Sequence, residues 1–149
     1  MSPVEKNFEQ QLEGAASDTA ASAIVESTGQ AHRQAPPLRC FRLTIAYDGT
    51  NYFGWQRQPH HPSIQAAVER AVCDITGDAH THVKASSRTD TGVHALGQSA
   101  VFSTTGWPAA ADRIPLAINT KLPTDIAVRD AVEVSLRFNP LRASTGKRY

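Results

Sequence analysis

Residues 38–51 read L-R-C-F-R-L-T-I-A-Y-D-G-T-N, and we predict that the folded domain begins with this stretch. The large apolar residues Phe41, Leu43, Ile45 and Tyr47 alternate with smaller or polar neighbours. A period of two is typical of a β-strand that has one face on a hydrophobic core. The Asp-Gly-Thr-Asn sequence that follows is typical of a turn. We therefore predict a strand over residues 41–47 and a turn directly after it.

Two helices are predicted further along the chain. Apolar residues recur at helical spacing from Ile64 to Ile75, with Ser63 placed to act as N-cap and Gly77 to end the helix. A second, shorter helix is predicted near Pro115. Because a proline inside a helix costs about 3 kcal/mol, we place Pro115 in the first turn of a helix that runs to about Thr120.

Three further strands complete the predicted elements. Branched and apolar residues indicate short strands at His82–Ser86 and Gln98–Ser103, and a longer strand at Ile126–Val134. The order is then β-α-β-β-α-β. This order predicts the α+β class, in a ferredoxin-like, split βαβ arrangement with an antiparallel sheet and both helices on one face.

The chain divides into two segments of opposite charge. Residues 1–37 contain two basic and five acidic side chains, and residues 38–149 contain 13 basic and nine acidic ones. The first segment is rich in Ala, Ser, Gln and Thr and has few large aliphatic residues, so we expect a disordered N-terminal extension. The second segment, residues 38–149, is the predicted α/β domain, and its positive charge permits a polyanionic partner.

Composition and cysteine content indicate a cytoplasmic protein. The apolar runs are far shorter than the roughly 20 residues that cross a bilayer, and residues 1–10 lack the basic-then-apolar order of a secretory signal. Cys40 and Cys73 are the two cysteines, and we interpret both as reduced thiols. The six histidines and these cysteines show no spacing typical of a metal site, and no glycine-rich nucleotide-binding motif occurs.

The sequence R-T-D-T-G-V-H-A at residues 88–95 concentrates the most useful chemical groups. Asp90 follows Arg88 by two residues, and a nearby positive charge keeps a carboxylate ionised, as a nucleophile or general base requires. The alternative is an ordinary loop in which Asp90 caps backbone amides and Gly92 supplies a positive φ. The spacing alone leaves both interpretations open.

Aromatic and basic residues outside this motif are compatible with RNA binding. Tyr52, Phe53 and Trp55 lie in one loop, where they could stack on bases, although each could equally close the end of a small core. Arg57 follows in the same loop. The last 14 residues carry four positive charges, at Arg137, Arg142, Lys147 and Arg148, and no acidic residue. We interpret Arg57, Arg142 and Arg148 as candidates for phosphate contacts.

Five blocks of the sequence together resemble the tRNA pseudouridine synthase A family. In chain order they are Y-D-G-T-N-Y-F-G-W-Q-R-Q at 47–58, S-I-Q-A-A-V-E-R-A at 63–71, R-T-D-T-G-V-H-A with a following G-Q at 88–98, N-T-K-L-P-T-D-I-A-V at 119–128, and F-N-P-L-R-A-S-T-G-K-R-Y at 138–149. The resemblance covers the N-terminal half of the usual family chain. The sequence ends at Tyr149 without a turn or cap, so we expect it to be truncated.

The resemblance implies both an activity and site residues. It identifies Asp90 as the nucleophile, Arg88 as its partner and Tyr149 as an active-site residue. The family isomerises uridine to pseudouridine in the anticodon stem-loop of tRNA, at positions 38, 39 and 40, without a cofactor. A homodimer is implied for the full-length protein. Many relatives have an arginine directly after the F-N-P element, whereas this chain has Leu141 and then Arg142, so we expect one RNA-facing charge to be displaced or lost.

Two functions of other classes remain open at this point. Asp90-Thr91-Gly92 matches the D-T-G of aspartic proteases, whose mechanism needs two carboxylates that share a proton. The nearby Arg88 and the predicted helix after Ser63 both disfavour that class. A non-catalytic RNA-binding module is the second alternative, although the strand motif of RNA recognition domains is missing.

Overall fold

The computed structural model describes residues 34–146, and these residues form one antiparallel sheet with helices. The strands are β1 (Arg39–Tyr47), β2 (Lys84–Ala85), β3 (Ala95–Thr104) and β4 (Ile126–Val134), in the spatial order β2-β3-β1-β4. The helices are α1 (Ile64–Thr76), α2 (Ile114–Ile118) and α3 (Pro140–Ala143), and a 3₁₀ turn at Ala111–Arg113 precedes α2. The predicted α+β class and the order β-α-β-β-α-β are confirmed.

Strand β1 is central because it pairs on both sides. Leu43 lies opposite Ala100 of β3 and opposite Ala131 of β4. The apolar residues of β1 share one core cluster with residues of α1 and α2, as expected when both helices cover the same face of the sheet. The fully buried members of that cluster include Phe41, Leu43, Ile45, Ile64, Val68, Ile114 and Ile118.

Helix α1 begins and ends where its capping residues predict. The Ser63 side-chain oxygen accepts a hydrogen bond from the Ala66 amide at 3.2 Å, which satisfies a backbone donor of the first turn. Gly77 has a φ of +72°, and its amide donates to the Cys73 carbonyl at 2.8 Å. A left-handed glycine of this kind is a common helix C-terminus.

Tertiary contacts shorten two of the predicted elements. The strand predicted over His82–Ser86 is reduced to Lys84–Ala85, because the Val83 amide donates to the Glu69 carboxylate and the Val83 carbonyl accepts from the Gln65 side chain. Helix α2 ends at Ile118, two residues earlier than predicted. The next residue, Asn119, instead bonds both backbone groups of Val128 in β4 through its side chain.

The chain after β4 crosses to the opposite edge of the sheet. Helix α3, which the periodicity did not predict, lies against β2 and β3. Its N-cap is Asn139, whose side chain accepts a hydrogen bond from the Leu141 amide at 3.0 Å. The residues that follow α3 are thereby brought to the connection between β2 and β3.

Several sequence-based predictions lie outside the described residues. Most of the predicted N-terminal extension over residues 1–37 does so, as do Arg148 and Tyr149. Residues 34–37, the described part of that extension, contain neither helix nor strand. No helix within residues 34–146 is long and apolar enough to cross a membrane.

Candidate active site

A cavity of about 470 Å³ lies at the connection between β2 and β3. Arg88 and Asp90 both line it, together with residues at the start of β3. Ser144 and Gly146, which follow α3, line it from the other side. The R-T-D-T-G-V-H-A motif therefore forms a wall of a concave site, the kind of surface on which enzymes hold substrates.

The loop that carries Asp90 is held by the aromatic loop after β1. The Trp55 amide donates to the Thr89 carbonyl at 3.0 Å, and the Gly92 amide donates to the Tyr52 carbonyl at 3.2 Å. The hydroxyls of Tyr47 and Thr89 are 2.8 Å apart. The bonds with Trp55 and Tyr52 thus fix the backbone on both sides of Asp90, and Tyr47 contacts the Thr89 side chain. The two motifs, which are separate in the sequence, therefore form one unit.

Glycine at position 54 permits this close approach. Gly54 has a φ of +82°, and a Cβ built on it would lie 2.5 Å from the Thr89 carbonyl oxygen. Any larger residue would push against the backbone next to Asp90. Gly92 also has a positive φ, +77°, as the loop interpretation of this motif predicted, but its Cβ position is open.

The three aromatic residues of this loop have different environments. Tyr52 and Trp55 are buried, 9% and 2% exposed, and both belong to the hydrophobic core cluster. The core-closing interpretation is therefore right for these two. Phe53 is 41% exposed and stacks on His61, with ring centroids 4.2 Å apart. Among the three, only Phe53 presents an accessible face.

Asp90 and Arg88 share the cavity without contacting each other. Both residues are exposed, and within residues 34–146 they form no ion pair with one another. The Asp90 side chain accepts no hydrogen bond from any described residue, so it does not cap backbone amides. The Asp90 backbone carbonyl instead closes the turn, because it accepts from the Val93 amide at 3.1 Å. Within residues 34–146, the Asp90 carboxylate thus lines the cavity without a hydrogen-bond or ion-pair partner.

The two other predicted site residues that the structure describes, Arg57 and Arg142, do not line the cavity. The Arg57 Nη1 lies 3.1 Å from the Oε2 of Glu69, a carboxylate only 3% exposed. Arg142 is exposed on α3, two residues before Ser144. Arg148 and Tyr149 are outside the described residues.

His94 lines the cavity and contacts Asp48 at the end of β1, although no individual role was predicted for either residue. The His94 Nδ1 accepts a hydrogen bond from the Gly49 amide at 3.0 Å and lies 3.1 Å from the Asp48 Oδ1. The Thr50 hydroxyl and amide both donate to Asp48 and lower the pKa of its carboxyl. His94 lines the cavity beside Asp90. The signal available in the sequence was that both residues lie inside the two quoted motifs.

The fold bears on the aspartic protease alternative. Within residues 34–146, no group of three or more His, Cys, Asp or Glu side chains is arranged to hold a metal ion. Helix α1 and the α+β sheet do not fit the small all-β aspartic protease that Asp90-Thr91-Gly92 suggested. The arrangement supports chemistry at a carboxylate on a rigid loop.

Comparisons with known proteins agree with this geometry. The profile of the tRNA pseudouridine synthase family matches residues 43–140. A tRNA pseudouridine synthase A of Caldicellulosiruptor saccharolyticus is 47% identical over 112 residues, which is 75% of this chain and 45% of the relative. The protein of that name from Geobacter sulfurreducens is 47% identical over 118 residues, again 75% of this chain and 45% of the relative. The Myxococcus xanthus protein is 48% identical over 109 residues, 72% of this chain and 40% of the relative.

The matched region contains residues 43–47 of β1, every later element through β4 and the whole Asp90 motif. The chain spans about half the length of the curated relatives it matches. Because the family profile covers most of the described fold, including the cavity wall, the chain belongs to the tRNA pseudouridine synthase A family.

Proposed function

We propose that the protein isomerises uridine to pseudouridine in tRNA, with Asp90 as the nucleophile and without a cofactor. The observation that carries the proposal is the position of Asp90. Its carboxylate is free of partners among the described residues, lines a cavity of about 470 Å³, and lies on a loop whose backbone is fixed by Trp55 and Tyr52. Membership in the synthase family supplies the reaction.

The reaction needs a group that can act on a detached base. The N1–C1′ bond of uridine breaks, the uracil stays bound and rotates, and a C5–C1′ bond forms, while C5 loses a proton and N1 gains one. A carboxylate can form a transient covalent bond during this sequence or stabilise the positive charge that develops on the sugar. The target uridine must leave its stack to reach Asp90, and the open cavity provides the space.

Arg88 and Tyr149 complete the proposed pocket. Arg88 lines the cavity with Asp90, where a guanidinium can orient a uracil carbonyl or a phosphate. Gly146 also lines it, and the three residues from Gly146 to Tyr149 span at most about 10 Å when extended. We therefore propose that Tyr149 contacts the bound uridine.

The proposed RNA contacts are made by arginines. Arg142 and Arg148 flank the cavity-lining residues Ser144 and Gly146 in the sequence, and both are proposed to contact phosphates. Arg57 forms an ion pair with Glu69, and the five N–H donors of its guanidinium remain available to a phosphate. The substrate is proposed to be the anticodon stem-loop of tRNA at positions 38, 39 and 40, and the protein is proposed to act in the cytoplasm as a homodimer.

Mapping the modified nucleotides tests this proposal. The complete gene product is incubated with an unmodified tRNA transcript, and pseudouridine is located by carbodiimide adduct formation and primer extension. We expect reverse-transcription stops only at uridines of positions 38, 39 and 40. Transcripts with cytidine at those positions are the control and should give none. Modification confined to other positions would refute the proposed substrate, and binding without modification would favour an RNA-binding module.

A further inference from the structure

One nitrogen of His94 is committed to the backbone of a neighbouring loop. The Nδ1 accepts from the Gly49 amide at 3.0 Å. An amide N–H can only donate, so Nδ1 must carry a lone pair in this arrangement, and a neutral imidazole then has its proton on Nε2. The His94 side chain is 63% exposed, and its Nε2 has no hydrogen-bond partner within residues 34–146. Nε2–H is therefore a free donor in a residue that lines the Asp90 cavity.

The Nδ1 bond is part of a tight junction of three segments. Gly49 packs so closely on the 88–94 loop that a Cβ on it would lie 2.0 Å from the Val93 carbonyl oxygen. The adjacent Asp48 amide donates to the Asp125 carbonyl at 2.9 Å, just before β4. His94 thus joins the Asp90 loop to Gly49 after β1, and the neighbouring Asp48 joins the same turn to the segment before β4.

The hydrogen bond from Gly49 to His94 depends on whether Nδ1 carries a proton. The Asp48 Oδ1 lies 3.1 Å from His94 Nδ1 and accepts a hydrogen bond from the Thr50 amide. A proton on Nδ1 would remove the lone pair that accepts from Gly49, and Nδ1 could then pair with Asp48 instead. Among the described residues, the contact with Gly49 has the geometry of a hydrogen bond, which fits a neutral imidazole with its proton on Nε2.

We infer that His94 has two functions in the reaction proposed for Asp90: Nδ1 fixes the loop against Gly49, and Nε2–H donates a hydrogen bond to an oxygen of the target nucleotide. This inference rests on the proposed function. Both functions follow from one tautomer. Because a ring holds its two nitrogens in fixed relation, a substrate atom bound to Nε2 is held at a fixed position relative to the loop that carries Asp90.

Substitutions that mimic one nitrogen at a time separate the two functions. In His94→Asn the side-chain oxygen replaces Nδ1 as acceptor for Gly49 but the Nε2 donor is lost, and His94→Ala removes both. We expect His94→Asn to keep the wild-type melting temperature and to lower kcat/KM for the anticodon stem-loop about tenfold, the size of one hydrogen bond. His94→Ala should lower kcat/KM further and also lower the melting temperature. His80→Asn, an exposed histidine outside the cavity, is the matched control.

Two results would overturn the inference. Wild-type kcat/KM in His94→Asn would exclude the substrate contact, and equal melting temperatures for His94→Asn and His94→Ala would exclude the role of Nδ1. Long-range ¹H–¹⁵N NMR at pH 8 gives a measurement that does not depend on activity. The His94 signals, assigned from the spectrum of His94→Asn, should show the Nε2–H tautomer, and an Nδ1–H tautomer would contradict the structure. If the NMR result holds while no pseudouridine forms, the proposed function has failed and the tautomer assignment has not.

Discussion

Replacing Gly54 by alanine should damage the Asp90 loop more than it damages the fold. Gly54 has a φ of +82°, and its Cβ would lie 2.5 Å from the Thr89 carbonyl oxygen and 3.2 Å from the Asp90 carbonyl carbon. Ordinary contact begins at about 3.4 Å, so the backbone beside Asp90 must move by about 0.9 Å. That backbone is also held by the hydrogen bond from the Trp55 amide.

The expected loss of stability has two parts. A left-handed backbone costs an alanine about 1–2 kcal/mol. Overpacking against a constrained neighbour adds about 1–3 kcal/mol, so the total for Gly54→Ala is about 2–5 kcal/mol. Gly77→Ala separates these contributions, because Gly77 has a φ of +72° and no atom within 4 Å of its Cβ position. It should lose only the first part.

Urea unfolding and tritium release measure the two consequences. Unfolding is followed by tryptophan fluorescence, and turnover is measured at a temperature where all variants are folded. A misplacement near 1 Å at a reacting group costs about a hundredfold in rate, so we expect that loss in Gly54→Ala and wild-type turnover in Gly77→Ala. Gly92→Ala, with a φ of +77° and an open Cβ position, tests loop conformation without the clash. Equal stability and equal turnover in Gly54→Ala and Gly77→Ala would refute the reasoning.

Two further predictions concern stability. Ile118→Ala, at a fully buried position of α2, should lower the free energy of unfolding by about 2–5 kcal/mol, whereas Leu116→Ala, 66% exposed in the same helix, should change it by less than about 0.5 kcal/mol in urea unfolding. Burial raises the pKa of Tyr47. Burial also raises the pKa of Tyr52, and the hydrogen bond to Asp125 raises it further. Because both folded-state pKa values lie above 10, stability should decline as pH rises beyond 10, and Tyr52→Phe should weaken that decline in pH-dependent unfolding.

Local patterns in the sequence predicted the elements whose formation depends mainly on residues close together in the chain. Strand β1 followed from its period of two, and α1 followed from its apolar spacing with Ser63 and Gly77 at its ends. The strand predicted over His82–Ser86 was too long because Glu69 takes the Val83 amide, a contact between residues 14 apart. No periodicity reports which backbone group a distant side chain will bind.

The candidate site shows the same limit. The sequence identified both motifs, but their junction depends on the bond between Trp55 and Thr89, which are far apart in the chain. It suggested that Arg88 stays beside Asp90, and it suggested Arg57 for phosphate contact. Arg88 lines the same cavity as Asp90 but forms no ion pair with it, and Arg57 forms an ion pair with the buried Glu69. Residue type indicates what a side chain can do, and packing decides which partner it has.

Tritium release from tRNA labelled at C5 of uridine tests the role of Asp90 most directly, because the hydrogen leaves C5 only when the new bond to the sugar has formed there. Asp90→Asn removes the ionised oxygen with almost no change of shape. We predict that the complete gene product carrying Asp90→Asn releases tritium about a thousandfold more slowly or not at all, while its Kd for tRNA stays within about threefold because phosphate contacts dominate affinity. Asp74→Asn, at an exposed position of α1, should match the wild type in both measurements. Tritium release by Asp90→Asn at the wild-type rate would contradict the account.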